Sequence, residues 1–125
     1  MTRTLTRLEE ALLERLARRE DVPTMAQLSV ELGVSKTVAR RRIIGLAGLG
    51  YMEKFQEGAL LRWRVSLLGY GRVWRKEIEE GALEAAEAGL GLAAEKAVCD
   101  VVPHRLRTVA EGWYRAALAA RKELK

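Results

Sequence analysis

The stretch from Thr24 to Tyr51, TMAQLSVELGVSKTVARRRIIGLAGLGY, constrains this chain more than any other. It reads as two helices joined by a glycine turn, the second of them basic. Thr24 is placed to cap a short first helix, its hydroxyl accepting from a free backbone N–H of the first turn. Met25, Leu28 and Leu32 give that helix one apolar side. Gly33 stops it, because glycine takes the left-handed conformation without penalty. Ser35 caps the next helix, which runs to about Leu49 with Gly50 past its end. This second helix carries Lys36, Arg40, Arg41 and Arg42, and no acidic residue stands between Glu31 and Glu53. A capped helix with cations and no anions suits a polyanion, so the expectation is a helix that lies in a DNA groove.

Composition narrows the alternatives. The chain has 125 residues, enough for one domain or for a domain with an appendage. Its net charge of +5 is compatible with nucleic acid. Residues 1–80 hold 15 basic and 11 acidic side chains, against 7 and 6 in residues 81–125, so the excess sits in the half that contains the basic helix. A single cysteine, Cys99, forms no intrachain disulfide and gives no sign of an oxidising compartment. It reads as buried packing, with a redox sensor as the alternative. No apolar run approaches the roughly 18 residues of a membrane span. The opening MTRTLTRLEEALLERL carries acids inside its apolar pattern, unlike a signal peptide. A soluble cytoplasmic protein without a membrane partner is the expectation. One histidine and one cysteine do not make a zinc site of conventional spacing. His104 follows Pro103 and reads as a surface or capping residue. Without paired carboxylates in an apolar setting or a phosphate loop, neither an enzyme nor a metal or cofactor is expected. The run Gly45 to Gly50 is not a dinucleotide fingerprint, because its glycine order is reversed and no strand precedes it.

Periodicity supplies the remaining elements. Leu5, Leu8, Leu12, Leu13 and Leu16 recur at helical steps and predict an amphipathic helix from Thr4 to about Arg19. After Gly50, residues Tyr51–Phe55 and Leu60–Leu67 flank the turn candidate Gln56-Glu57-Gly58-Ala59. Leu61, Trp63 and Val65 alternate with Arg62 and Arg64, which predicts a β-hairpin. A further helix is expected from Gly69 to Glu80 on Val73, Trp74 and Ile78, interrupted by Gly81. An alanine-rich helix is then expected over Ala82–Val98, weakened by Gly89 and Gly91, and a last one over His104–Leu124.

The segment LSVELGVSKTVARRRIIGLAGLGYMEK, followed by a hairpin and by LLGYGR, resembles the winged helix-turn-helix domain of bacterial transcriptional regulators of the MarR and PadR type. Gly33, Val34, Ser35, Leu46, Gly50 and Tyr51 match the family's pattern, and Gly71-Arg72 resembles the pair that opens the helix after its wing. The likeness covers roughly residues 5–80. It implies a mainly α fold with a small β-hairpin, a DNA-binding domain over residues 1–80, and a helical extension over residues 81–125.

Helical spacing then assigns faces. Val34, Ala39, Ile43 and Leu46 belong to the buried side of the basic helix. Lys36, Thr37, Arg40 and Arg41 project the other way and are the candidate base contacts, since a recognition helix offers its N-terminal half to base edges and arginine fits guanine O6 and N7. The plainer reading is a solvated face. Thr24, Gln27, Ser35 and Arg42 are candidate backbone contacts, with Lys54, Arg62 and Arg64 from the hairpin. Thr24 and Gln27 either only cap their helix or also present backbone N–H groups to phosphate. The hairpin tip carries an acid and no base, so backbone contact is expected there rather than deep groove reading, and Trp63 is expected in the core. The two C-terminal helices need somewhere to bury their alanine-rich sides. Self-association is the natural place, with Leu83, Leu90, Leu106, Val109, Trp113 and Tyr114 as candidate interface residues; folding back on the winged domain is the alternative.

These features lead to a dimeric, sequence-specific regulator of double-stranded DNA, most simply a repressor reading a palindrome. An architectural, plasmid-partition or replication-initiation protein of the same fold is the second expectation. A winged-helix adaptor that binds protein alone is the third. Nothing in the sequence identifies a small-molecule effector.

Overall fold

The computed structural model describes residues Arg3 to Glu123, which divide between Tyr70 and Gly71 into two compact units. The first opens with α1 (Arg7–Arg18). It starts later than the leucine pattern predicts because Thr6 and Glu9 form a reciprocal capping box, each side chain accepting from the other's backbone N–H. Leu12, Leu13, Leu16 and Ala17 are buried, whereas Leu8 falls at the margin of the stripe and is largely exposed. Full burial of one such leucine stabilises by about 1.5–3 kcal/mol.

A second capping box opens α2 (Met25–Leu32), between Thr24 and Gln27. Leu28 anchors this helix in the core. Gly33 ends it at φ 66°, in the left-handed region, and its N–H returns to the carbonyls of Ser29 and Val30. Helix α3 (Lys36–Gly48) follows, with Ser35 Oγ accepting from Val38 N at 3.2 Å. It ends on Gly50 at φ 86°, after which the Tyr51 N–H bonds the Leu46 carbonyl at 3.0 Å. Strands β1 (Met52–Glu57) and β2 (Leu60–Val65) pair antiparallel, with Met52 opposite Val65 and Glu57 opposite Leu60. Gly58 turns the hairpin at φ 62°. The short helix α4 (Leu67–Tyr70) closes the unit, and Ser66 Oγ accepts from Gly69 N at 3.1 Å at its start. Helix, helix-turn-helix and hairpin in this order make a winged helix-turn-helix fold, followed by C-terminal helices.

The second unit starts with a π-helical turn, Gly71–Arg75, and α5 (Lys76–Glu87). The division therefore comes before residue 80, the end of the winged domain anticipated from sequence. The π-helical turn packs on α5 and on α7, and Trp74 and Ile78 are buried. Gly81 does not interrupt α5. It lies against α6 (Glu95–Cys99), where a methyl would stand 2.6 Å from Val98 Cγ1. The break comes instead at Gly89, whose φ of 75° ends the helix. A 3₁₀ turn over Gly91–Ala94 then leads into α6, so Ala82–Val98 is not one helix. A second 3₁₀ turn, His104–Leu106, leads into α7 (Arg107–Glu123); Leu124, the expected end of the last helix, lies outside the described residues. Helices α5, α6 and α7 pack on one another around Ala82, Ala85, Cys99, Leu106, Ala110 and Tyr114. The Tyr114 hydroxyl donates to the Gly91 carbonyl at 2.5 Å.

A candidate nucleic-acid interface

Helix α3 is oriented by what it buries. Ala39, Ile43 and Leu46 are no more than 1% exposed. Val34, at the turn, is half-buried. Gly45 lets α3 approach the start of α1: a methyl there would sit 2.8 Å from Glu9 Oε2. Arg3 completes this joint. Its guanidinium donates to both Glu9 oxygens at 2.6 Å and to the Gly45 carbonyl at 3.2 Å. The Arg3 hydrogen bonds and the Thr6 N–H hold the Glu9 carboxyl down at about 2, against the pull of its burial. At the other end of α1, Arg19 bridges Asp21 and Glu31, which ties the α1–α2 connection to the end of α2. Hydrogen bonding to Arg19 keeps the Glu31 carboxyl below its ordinary range.

With that side fixed, Lys36, Thr37, Arg40 and Arg41 are all exposed, and Arg42 is half-buried at the edge. Lys36, Arg40, Arg41 and Arg42 form no ion pair with any described residue. The hairpin differs. Arg64 Nε meets Glu53 at 2.8 Å and stands over the Phe55 ring. Arg62 pairs with Glu57 at 3.1 Å and also donates to the Val22 carbonyl, so it pins β2 to the segment before α2. Lys54 lies over the Trp63 ring, 5.1 Å from its centroid. Trp63 is half-buried, not fully enclosed as expected, and Leu61 is exposed although it shares a sheet face with buried Val65. That face outruns the core towards the hairpin tip.

Thr24, Gln27 and Ser35 all work as caps. The Thr24 hydroxyl accepts from Gln27 N and the Ser35 hydroxyl from Val38 N, while Gln27 Oε1 accepts from Thr24 N. Thr24 and Ser35 begin α2 and α3 and stand with the α3 cations in one helix-turn-helix.

Two further residues shape this surface. Ser66 is buried and joins the hairpin to α3: its hydroxyl donates to the Gly50 carbonyl at 2.5 Å while capping Gly69. Ile44 is exposed on the outer side of α3. Spacing of three from Arg41 and seven from Thr37 is the signal that places it there.

In the second unit, Leu83 and Leu90 are exposed, and Val109 and Trp113 are half-buried. Leu106 and Tyr114 are different. They are 2% and 0% exposed and belong to the chain's own core, so they present no surface to a partner. A groove of about 530 Å³ runs along α5 and α7, lined by the apolar Leu83, Ala116, Ala117 and Ala120 and by the charged Arg75, Glu79, Glu87 and Arg121.

No protein-family model and no curated protein matches the chain. Among solved structures, the crystal structure of T. acidophilum IdeR is similar, with a TM-score of 0.41 and 19% identity. The match covers 97% of this chain and 56% of that one, so the chain spans little more than half that neighbour's length. No helix among the described residues is long and apolar enough to cross a membrane.

Proposed function

We propose that the winged unit binds double-stranded DNA by laying α3 in the major groove, and that the chain is a sequence-specific transcriptional regulator. One observation carries this reading. The exposed side of α3 presents Lys36, Arg40 and Arg41 with no carboxylate paired to them among the described residues, while the hairpin arginines are paired within the chain. A row of cations on a rigid helix, without carboxylates beside it, suits a polyanion, and the phosphate backbone supplies one charge every few ångströms. The kinship we propose is with MarR and PadR regulators, on the residues matched from Gly33 to Tyr51 and after the hairpin.

In this reading Lys36, Thr37, Arg40 and Arg41 meet base edges from the N-terminal half of α3. Thr24, Gln27 and Ser35 offer helix N-termini to phosphates, and Arg42 and Lys54 add charge at the edges. Arg62 reaches phosphate only by releasing Glu57 or the Val22 carbonyl, which hold both its terminal nitrogens, whereas Arg64 meets Glu53 through Nε and keeps its terminal nitrogens for a phosphate. Two copies joined through the second unit hold their α3 helices about 34 Å apart, one turn of DNA, and read a palindrome. Leu83, Leu90, Val109 and Trp113 are the residues we assign to that contact. A repressor that covers a promoter is the simplest role.

Selection of duplexes from a random pool tests the reading directly. We expect one recovered palindrome, bound by two chains, with binding lost in the Arg40→Ala/Arg41→Ala variant. Equal binding by that variant would remove α3 from the interface. Recovery of no duplex leaves a protein-binding adaptor as the better account.

A further inference from the structure

The outer side of α3 contains two residues that the chain's own stability does not explain. At 100° per residue, the direction opposite buried Ala39, Ile43 and Leu46 is occupied by Thr37, Arg41, Ile44 and Gly48. Ile44 is 48% exposed, although a β-branched residue is a poor choice for an exposed helical position. Gly48 is exposed, and a methyl added there would meet nothing within 4 Å. Its neighbour Gly45 has an internal reason, the Glu9 carboxylate; Gly48 has none. Glycine in a helix interior costs about 1 kcal/mol relative to alanine, and Gly48, the last residue of α3, carries a part of that cost. Two departures from good helix design on one exposed stripe, beside Thr37 and Arg41, are what a surface shaped for a partner looks like.

We infer that Ile44 is a specificity residue that contacts the C5-methyl of a thymine in the major groove, and that Gly48 keeps the C-terminal half of α3 slim enough to let it get there. The inference rests on the DNA-binding reading above. Its chemistry follows from the groove. Thymine is the one base that offers an apolar group there, and an apolar side chain is its natural complement. Lys36, Arg40 and Arg41, exposed earlier on the same helix, supply the charge complementarity that seats it. The stripe then divides the reading: polar and cationic side chains in the first turns take hydrogen-bonding edges, and Ile44 takes a methyl further along.

The test uses the full chain and the tightest duplex recovered from a random pool. Each thymine is replaced in turn by deoxyuridine, which removes the methyl and keeps the pairing. At one fixed position in each half-site this should weaken wild-type binding about fourfold, the worth of one buried methyl. The Ile44→Ala variant should bind thymine and deoxyuridine duplexes equally. Gly48→Ala should raise the melting temperature and yet weaken binding to every duplex, a split that misfolding does not produce. A recovered site with no fixed thymine, or an Ile44→Ala variant that keeps the wild-type methyl sensitivity, overturns the role of Ile44 while leaving DNA binding intact. Unchanged binding by Gly48→Ala overturns the clearance argument. Failure of the wild-type chain to recover any duplex overturns the DNA-binding reading itself, and with it this inference.

Discussion

Glu9 occupies the space that a side chain at Gly45 would need: its Oε2 lies 2.8 Å from where that Cβ would stand. The same carboxylate caps α1 and receives Arg3, so one acid fixes both the start of α1 and the level at which α3 crosses it. The outward direction of Lys36, Arg40 and Arg41 depends on that crossing.

Glu9 should make the winged unit sensitive to acid. Its folded-state pKa of about 2 lies below the ordinary value of 4.5. Between these values the unfolded chain binds more protons than the folded one, so stability rises with pH across the window. The contribution is complete above about pH 4.5 and is lost as pH falls towards 2. Glu9→Gln keeps the capping geometry and removes the charge. Thermal melts from pH 7 to pH 2.5 should show wild type falling towards the variant; parallel curves would mean that Glu9 is not the titrating group.

Gly69 should be nearly irreplaceable. A methyl there would run into the Tyr51 carbonyl and the Val65 side chain, and the backbone atom has no room to yield. Gly69→Ala is expected to cost about 3 kcal/mol or more in denaturant unfolding. Ser66→Ala, which loses a cap and the bond to Gly50, should cost about 1–2 kcal/mol. A Gly69→Ala variant as stable as wild type would contradict the packing of α4 against Tyr51.

Salt titration should separate α3 from the hairpin. Each phosphate contact contributes about 0.9 to the slope of log affinity against log salt. Arg42→Ala is expected to lower that slope by about 1 with no change in sequence preference. Arg64→Ala should change it less, because Glu53 already neutralises Arg64. Arg62→Ala should act on stability first, since it releases the Val22 carbonyl. Equal slopes for the Arg42 and Arg64 variants would place the hairpin on the same footing as α3.

The proposed dimer, if it forms through the second unit, should respond to the α5–α7 groove. Leu83→Glu puts a charge in the groove lining, one helical turn from both Glu79 and Glu87. Sedimentation equilibrium is expected to show a folded monomer whose affinity for the palindrome falls at least tenfold while half-site binding persists. A variant that remains dimeric would move the contact away from this groove.

Cys99 should be inert while the chain is folded. It is 1% exposed, and burial pushes its thiol up to about 11. Reaction with a thiol reagent at pH 8 is therefore expected only through unfolding, at a rate that follows denaturant concentration. Rapid labelling of native protein would restore the redox-sensor alternative.

The local grammar of the winged unit was legible in the chain. Thr24, Gly33, Ser35 and Gly50 stand where capping and left-handed geometry require them, because those demands act within one or two turns. The period of α3 separated Ala39, Ile43 and Leu46 from Thr37 and Arg41 for the same reason, whereas Lys36, two turns before Ile43, is exposed because it opens the helix. The second unit was less legible. Gly81 and Gly89 look alike in sequence, yet one packs under Val98 inside a helix and the other ends it, and only a neighbour distant in sequence tells them apart. Leu106 and Tyr114 share the apolar pattern of Leu83 and Leu90, but only packing decides which pair is core and which is surface. Charge divides in the same way. The sequence by itself determined where the arginines lie along the chain and that α3 holds no acid. Tertiary structure alone decided that Arg62 and Arg64 meet carboxylates while Arg40 and Arg41 do not, because a strand pairing or a helix crossing must first bring the two charges within reach.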